Sequence, residues 1–455
     1  MDLLIKGGTI VTAKESFAAD VAVKDGKIVA IGKDLPFEAE KVVDASGRLV
    51  LPGALDVHTH MAMPFGGTVS ADSYLSGTRA AACGGVTTIF DYPVQHKGQT
   101  ILGLCREKND VLEKEACVDY AFHCCITDLN GGAILDEMEE AVKKGITSFK
   151  CFLVYKKENM MVDDATLTRL LLRAKELGAM INVHAENPDL IDLYTEKFLK
   201  EGKTSAWYHY LSRPEFVEAE ADKRAVHWAS HLETPIYIVH MADKEGLEAC
   251  IKAKEEGHKV YVETCPQYLE FTCDVYKRED GRYFICSPPM KGKESQDALW
   301  KALKAGYIDT VATDHCPFQS YEKDWGKDDF TKVPNGCAGV ENLYPYMLDA
   351  ANSGKLSFER VVELCSTNPA KIFGCENKGS IAIGKDADIV IYDKDKDFTI
   401  SVSNMHSDYD HTIWEGKELH GYPVQTYLRG KLVYDNGEYV GNPGDGKYIK
   451  RKAAK

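Results

Sequence analysis

Short strand-like runs alternate eight times with longer helical stretches through the middle of the chain, and this alternation constrains the fold more than any other feature. Stretches such as 164–177 and 244–256 have the character of helices that separate the runs. Eight β–α units of this length predict a parallel (β/α)₈ barrel of the TIM type. The predicted strands are 54–60, 86–91, 118–123, 148–152, 179–184, 236–240, 260–264 and 310–315.

The two ends of the chain show a different sequence pattern, which predicts short strands separated by turns. Asp25-Gly26 is a hairpin signal near the start, and strand-like runs return at 388–393 and 426–434. Neither end has enough strands to close a core, so we expect both to form one small β-sandwich. The predicted domains are 1–51 and 376–440 for the sandwich, 52–375 for the barrel, and 441–455 for a basic tail. We expect that tail to be disordered or to lie on a neighbouring subunit.

Composition narrows the classes of partner and compartment. The net charge of −15 argues against a nucleic-acid or anionic-membrane partner. No apolar run approaches the roughly 18 residues that span a bilayer, and the N-terminus turns polar too soon for a signal peptide. None of the 14 cysteines is spaced C-x-x-C, and several lie in apolar runs as reduced core residues do. We therefore expect a cytoplasmic protein.

Candidate metal ligands are concentrated on the predicted barrel strands. The first strand ends in His58 and His60, which point to the same face because side chains alternate along a strand. Active sites of (β/α)₈ barrels lie at the carboxyl ends of the strands. The further candidates on the fourth, fifth, sixth and eighth strands are Lys150, His184, His240 and Asp314. The four histidines and the aspartate of this set suit Zn²⁺, with Mn²⁺, Fe²⁺ or Co²⁺ possible.

Lys150 is the unusual member of this set. An ammonium among metal cations is strongly unfavourable, so a neutral or anionic form is required. A lysine whose pKa falls on burial can react with CO₂ to give a carbamate, and its two oxygens can bridge two metals. Taken singly, each histidine is more simply a structural residue, Lys150 a salt-bridge partner and Asp314 a helix N-cap. Their joint placement at the ends of the predicted strands favours the metal site.

The chain resembles the dihydropyrimidinase and D-hydantoinase family of cyclic amidohydrolases, in the amidohydrolase superfamily, over nearly its whole length. His-x-His alone would be weak evidence, whereas the motifs together are specific. They are Pro52-Gly53, His58-Thr59-His60, Met63-Pro64-Phe65-Gly66-Gly67-Thr68, Gly77-Thr78-Arg79-Ala80-Ala81-Ala82, Ser148-Phe149-Lys150, His184-Ala185-Glu186-Asn187, Glu263-Thr264-Cys265-Pro266-Gln267-Tyr268, Ser287-Pro288-Pro289, Thr313-Asp314-His315-Cys316-Pro317-Phe318 and Pro334-Asn335-Gly336.

The resemblance implies a two-metal site bridged by an N6-carboxylysine at Lys150. The more buried metal would be held by His58, His60 and Asp314, and the other metal by His184 and His240. It also implies that Tyr155 hydrogen-bonds the substrate carbonyl, while backbone groups at Ser287 and Asn335 hold the cyclic diamide. Without the resemblance, Tyr155 could be a core aromatic residue and the other two could be turn residues.

The implied reaction opens the ring of dihydropyrimidines and 5-substituted hydantoins to N-carbamoyl amino acids. A hydroxide shared by the metals would attack the amide carbonyl, with Asp314 as general base and then acid. The related dihydroorotases carry an arginine soon after His-x-His, whereas here none occurs before Arg79. An apolar wall of Met63, Phe65 and Phe152 instead suits an uncharged or hydrophobic 5-substituent.

Two other functions stay open at this stage. The chain could be an allantoinase or another cyclic ureide hydrolase. It could also be a non-catalytic dihydropyrimidinase-like scaffold, although such relatives lack the metal ligands that are present here. One departure from the family pattern is Ala242, where relatives commonly have a small hydroxyl residue two positions after the histidine. By analogy alone we expect a homotetramer or a homodimer.

Overall fold

The structure is a computed structural model and describes residues 1–453. Short strands dominate the N-terminal segment. They are β1 (Leu3–Lys6), β2 (Thr9–Val11), β3 (Ser16–Ala18), β4 (Asp20–Lys24), β5 (Lys27–Gly32), β6 (Lys41–Asp44) and β7 (Leu49–Pro52).

Strands and helices alternate through the long central segment, as the sequence predicts. The strands there are β8 (Ala54–Thr59), β9 (Pro64–Phe65), β10 (Thr68–Val69), β11 (Val86–Asp91), β12 (Asp119–Phe122), β13 (Cys124–Cys125), β14 (Ser148–Phe152), β15 (Met180–His184), β16 (Ile236–Ile238), β17 (Val260–Thr264) and β18 (Thr310–Val311). The α-helices are α1 (Tyr74–Cys83), α2 (Ile101–Glu115), α3 (Ala133–Lys143), α4 (Asp164–Leu177), α5 (Pro188–Lys200), α6 (Ala206–Leu211), α7 (Glu215–His231), α8 (Lys244–Glu255), α9 (Pro266–Glu270), α10 (Lys293–Ala305), α11 (Ser320–Lys323), α12 (Leu343–Asn352), α13 (Phe358–Val362) and α14 (Asn368–Ile372). Short 3₁₀ turns lie at Asn130–Gly132, Cys273–Lys277, Gly281–Phe284, Asp324–Gly326, Phe330–Lys332 and Val402–Asn404, with a π turn at Glu363–Thr367.

The central strands pair in parallel in two runs. One run has the order β12-β11-β8, and the other has the order β13-β14-β15-β16-β17-β18. A single parallel bridge joins Thr59 of the edge strand β8 to His315 beyond β18, and another joins Val94, beyond β11, to Cys125 of β13. The result is an α/β fold in which the carboxyl ends of the parallel strands lie on the same side.

Local capping explains where two of the predicted helices begin and end. Asp163 accepts a hydrogen bond from Thr166 N at the start of α4, and Gly178 ends that helix at φ 65°. The helix therefore spans the predicted 164–177. Asp243 caps α8 in the same way, and that helix ends at Glu255, one residue before the predicted boundary.

The remaining strands come from the C-terminal segment and pair with the N-terminal ones. They are β19 (Ile389–Thr399), β20 (Glu418–Leu428), β21 (Lys431–Asp435) and β22 (Glu438–Tyr439). One sheet has the order β5-β4-β1-β6, and a second, with the order β22-β21-β20-β19-β7-β2-β3, combines both chain ends. Buried Leu3 and Val21 of the first sheet belong to the same apolar cluster as Ile389 and Val424 of the second. The run 426–434 is a hairpin rather than one strand, because Arg429 and Gly430 turn the chain with positive φ.

The prediction for the basic tail was wrong for the residues that the structure describes. Lys447 O accepts from Tyr120 N at 3.0 Å, and Ile449 N donates to Tyr120 O at 2.8 Å, so the tail lies along β12 of its own chain. Arg451 is buried and donates to Ser148 Oγ at 2.7 Å and to the Phe122 carbonyl oxygen. These backbone and guanidinium contacts order a segment whose composition resembles that of a free arm, although position 455 lies outside the described residues.

Within residues 1–453, no helix has both the length and the apolar character needed to cross a membrane.

Candidate metal centre

The six predicted ligands lie together at the carboxyl side of the parallel strands. Apart from His58, they line one cavity of about 450 Å³, a volume that includes its open mouth. His58 is fully buried behind them. Their positions on the strands differ from the predicted ends: Lys150 is the middle residue of β14, while His240 and Asp314 follow β16 and β18 by two and three residues.

Two of the histidines contact the carboxylate of Asp314. His58 Nε2 lies 3.2 Å and His60 Nε2 lies 3.0 Å from Asp314 Oδ1. Burial alone would raise the pKa of Asp314, but His58 and His60 lower it to about 2, so the group is a carboxylate. The nitrogens and the oxygen lie close enough together to share one metal ion.

The other two histidines face each other across the same cavity. His240 Nε2 lies 3.1 Å from His184 Nδ1. Burial lowers the pKa of His184 and moves that of His240 well below its usual value, so both imidazoles are neutral. Neutral imidazole is the form of histidine that binds metals.

Lys150 lines the same cavity as these histidines and has no counter-ion among the described residues. Its side chain is 1% exposed, and its Nζ lies 4.9 Å from the ring centroid of Tyr92 and 5.3 Å from that of Phe152. No carboxylate of residues 1–453 lies within 4.0 Å of this nitrogen, which argues against the salt-bridge interpretation. Burial lowers the pKa of Lys150 and so favours the neutral, nucleophilic amine.

Glu263, whose role the sequence analysis did not identify, holds two of the ligands in place. Its Oε1 accepts from His58 Nδ1 at 2.6 Å and from His240 N at 2.9 Å, and its Oε2 accepts from Tyr237 OH at 2.8 Å. The sequence signal was an acidic residue within the otherwise mostly apolar seventh predicted strand, 260–264. A carboxylate on Nδ1 makes Nε2 the unprotonated nitrogen of His58.

Glu186 plays the same part for His184 and was also missed. Its Oε2 accepts from His184 Nε2 at 2.8 Å, which leaves Nδ1 unprotonated toward His240. Arg213 Nη1 contacts both carboxylate oxygens, at 2.8 and 2.9 Å. Burial would raise the pKa of Glu186, but Arg213 and His184 lower it far below its usual value. The His-x-Glu spacing of His184 and Glu186 was the sequence signal.

These hydrogen bonds test whether a metal fits. They direct the lone pairs of His58 Nε2 and His184 Nδ1 into the site, and His58 Nε2 is buried with no hydrogen-bond partner among the described residues. A buried nitrogen lone pair without a partner is costly unless a cation takes that position. The donor set of imidazoles and a carboxylate matches the preference of Zn²⁺ and similar metals.

The predicted substrate-binding residues form the rest of the cavity wall. The Tyr155 ring lies 5.2 Å from that of His184 and 5.3 Å from that of Phe65, between centroids. Asn335 Nδ2 donates to Ser287 Oγ at 2.7 Å, so these two residues are neighbours. The apolar part of the lining consists of Met63, Phe65, Phe152 and Met160.

No arginine is among the cavity-lining residues in the described part of the chain. Arg79, the first arginine after His-x-His, donates to His406 O at 2.6 and 2.9 Å and lies 3.4 Å from Asp408. Its guanidinium is therefore engaged by residues outside the cavity. The cavity lining therefore has no guanidinium that could form an ion pair with a carboxylate substituent on the substrate.

A parallel α/β fold with this ligand set at the carboxyl ends of its strands defines a metal-dependent hydrolase, and the chain belongs to the amidohydrolase family. The model of that family matches residues 49–433. A D-hydantoinase of Ralstonia pickettii is 42% identical over 460 residues, with 100% of each chain covered. A dihydropyrimidinase of Rattus norvegicus is 39% identical over 462 residues, covering 99% of this chain and 89% of its own. The crystal structure of dihydropyrimidinase from Brevibacillus agri NCHU1002 is 41% identical, covers 100% of both chains and superposes with a TM-score of 0.98.

Proposed function

We propose that the chain hydrolyses the cyclic amide bond of dihydropyrimidines and 5-substituted hydantoins to give N-carbamoyl amino acids. The observation that carries this proposal is one cavity lined by three histidines, Asp314 and a buried Lys150, with the fourth histidine, His58, buried behind it. The full-length similarity to proteins named D-hydantoinase and dihydropyrimidinase supports it.

We also propose that the central parallel strands form a closed (β/α)₈ barrel, with a small β-sandwich built from both chain ends. The bridges from Thr59 to His315 and from Val94 to Cys125 support closure. The proposed domains remain 1–51 with 376–440 for the sandwich and 52–375 for the barrel. The described part of 441–455 is a strap on the barrel.

The metal centre would hold two divalent cations, most suitably Zn²⁺, with Mn²⁺, Co²⁺ or Fe²⁺ as alternatives. His58, His60 and Asp314 would hold one metal and His184 and His240 the other. Lys150, as an N6-carboxylysine formed with CO₂, would bridge them. Bound divalent cations supply a Lewis acid and lower the pKa of water from 15.7 to about 7.

The side chains of the protein have separate tasks in the proposed reaction. Asp314, held as a carboxylate, takes a proton at Oδ1 or Oδ2 from the attacking water and delivers it to the leaving ring nitrogen. The Tyr155 hydroxyl keeps its proton, because burial raises its pKa, and donates to the carbonyl oxygen. One such donor is typically worth about 3 kcal/mol in the transition state. Ser287 and Asn335 hold the ring, and Met63, Phe65 and Phe152 contact its 5-substituent.

A substrate panel on zinc-loaded protein tests the function. It contains dihydrouracil, 5-substituted hydantoins with chiral analysis of the product, allantoin, and dihydroorotate as an acidic control. We expect N-carbamoyl products from the first two and no turnover of dihydroorotate, because the cavity has no arginine. Turnover of allantoin alone would favour the alternative hydrolase, and no turnover with full metal loading would favour the non-catalytic scaffold.

The modification of Lys150 has its own test. Protein reconstituted with zinc and ¹³C-bicarbonate should show a carbamate signal by ¹³C NMR, and Lys150→Ala should abolish both the signal and most of the bound zinc. An active, zinc-loaded wild-type protein without the carbamate signal would refute the bridge.

We further propose a homotetramer or homodimer that works in the cytoplasm on a small-molecule cyclic ureide or imide. The free state of all 14 cysteines supports a reducing compartment. Light scattering of the purified protein measures the oligomeric state, and a monomer would refute that part.

A further inference from the structure

Three acidic residues form a buried cluster behind the metal centre. Glu218 and Asp222 lie one turn apart on α7, and Asp243 is the N-cap of α8. The three residues are at most 2% exposed, and one oxygen of each lies within 4.8 Å of the others. The three oxygens therefore point to a common place between the two helices.

Two of these oxygens have no partner that would offset their burial. Asp222 Oδ2 and Asp243 Oδ2 are buried atoms without a hydrogen bond to any described residue, whereas Glu218 Oε2 lies 3.1 Å from the ammonium of Lys291. The second oxygen of Asp243 is used by Gly246 N at 2.8 Å. A Cβ on Gly246 would lie 2.4 Å from Asp222 Oδ2 and 2.7 Å from Asp243 Oδ2, so a glycine leaves room for both carboxylates.

The charge of the cluster is not balanced by the protein. Lys291 is the one ammonium in contact with it among residues 1–453, with Nζ 3.1 Å from Glu218 Oε2. The neighbouring Glu186 and Arg213 neutralise each other. Three carboxylates and one ammonium leave a net charge of −2 if all are ionised. Burial of unpaired charge costs several kcal/mol per ion, so either two protons or a divalent cation must be bound.

We propose that Glu218, Asp222 and Asp243 bind a hard divalent cation, Ca²⁺ or Mg²⁺, at a site separate from the catalytic metals. Carboxylate oxygens alone are the ligands that these ions prefer, and with no imidazole or thiolate the site does not favour zinc. Two Ca²⁺–O distances of 2.3–2.6 Å span the separation of the oxygens. The cation would bring the cluster to neutrality together with Lys291.

The site would brace the segment that carries His240. Glu218 Oε1 accepts from Ala242 N at 2.9 Å, two residues after His240, and Asp243 follows directly. A cation bound by Glu218 and Asp243 would fix this segment through the backbone N–H of Ala242. The methyl side chain of Ala242 cannot provide such a contact.

The test measures calcium and magnesium in protein whose catalytic centre is already saturated with zinc. Wild type, Asp222→Asn and Asp243→Asn are passed through gel filtration in buffer containing zinc with either Ca²⁺ or Mg²⁺, and the eluted metals are quantified by plasma mass spectrometry. Glu245→Gln is the matched control, because it removes an exposed acidic residue from the first turn of the same helix. Thermal unfolding is followed with and without the added cation.

We expect one equivalent of Ca²⁺ or Mg²⁺ in wild type and in Glu245→Gln, and a melting temperature that rises with that cation. Asp222→Asn should lose the extra equivalent and the temperature shift while it keeps its zinc. Burial raises the pKa of Glu218 to about 8 and that of Asp243 to about 6, so bound protons are the competing explanation. Folded wild type with full zinc and no uptake of either ion would overturn the proposal, even if the variants failed to fold.

Discussion

Glu263→Gln separates the charge of the carboxylate behind the metal ligands from its shape. Glutamine keeps the volume, and its amide oxygen can still accept from His58 Nδ1 and His240 N, which both use Oε1. The amide nitrogen then faces Tyr237, whose hydroxyl lies 2.5 Å from Thr310 Oγ1 and can direct its hydrogen there. The substitution therefore removes the negative charge without a steric clash.

The size of the expected effect follows from the hydrogen bonds that lose this charge. Bonds to a charged acceptor contribute roughly 1 kcal/mol more than neutral ones, so two donors on Oε1 lose about 2 kcal/mol. If the whole loss falls on the zinc-bound state, it corresponds to roughly a thirtyfold weaker zinc affinity, which is the upper limit of the expected effect. The value lies within the roughly 10–100-fold loss that is typical when a carboxylate behind a metal-binding histidine is removed.

Chelator competition measures the zinc dissociation constant, and turnover is compared at saturating zinc. Glu341→Gln is the matched control, since Glu341 is equally buried and accepts from His406 Nδ1 at 2.7 Å away from the metal centre. It should lose a similar amount of stability with unchanged zinc affinity. A zinc affinity of Glu263→Gln within twofold of wild type, in folded protein, would refute the assigned role.

Three further perturbations test other parts of the structure. Asp314→Asn should retain most of the bound metal but lose nearly all turnover, as measured by metal analysis and a hydantoin assay on one sample, and full activity would exclude the proton transfer. Arg451→Ala should lower the free energy of unfolding by about 2–3 kcal/mol in urea titrations, because it opens a cavity and removes the guanidinium that donates to Phe122 O and Ser148 Oγ. An unchanged midpoint would show that the tail contributes nothing to stability. Lys378→Met should lower the free energy of unfolding by about 3–5 kcal/mol, because this buried ammonium is in contact with Asp119, Asp386 and Asp388 between the central parallel strands and the C-terminal segment. Cooperative unfolding at the wild-type midpoint would contradict that.

The sequence predicted the parts of the fold that depend on local pattern. The strand and helix alternation located β14, β15 and α4 almost to the residue, because hydrophobic period and capping residues act over short distances. It failed for the tail, because Arg451 is held by Ser148 and Phe122, some 300 positions away. The composition of this segment predicts an unpacked polar arm, whereas its position is determined by contacts with residues that are distant in the sequence.

The candidate site shows the same division between ligands and their supports. The six candidate ligands could be grouped from the sequence because histidine, lysine and aspartate recur near the ends of the predicted strands, and the structure brings them together. Glu263 and Glu186 are visible in the sequence as acidic residues in or beside predicted strands, but their roles depend on which ring nitrogen each one contacts. That choice fixes the histidine tautomers, and it is set by side-chain geometry that no spacing in the sequence records.

Backbone strain explains why the ligands meet although two of them lie beyond their strands. His240 and Asp314 have φ of 39° and 53°, and Tyr155 has φ of 65°, in the left-handed region that non-glycine residues seldom occupy. Each such residue costs on the order of 1–3 kcal/mol and persists only when its surroundings hold it. Glu263 holds His240 through its backbone N–H, and Asp56 accepts from Thr313 N next to Asp314. The left-handed backbone directs the side chains of His240 and Asp314 toward the cavity. The geometry of the site therefore depends on the buried carboxylates of Glu263 and Asp56 that hold this backbone.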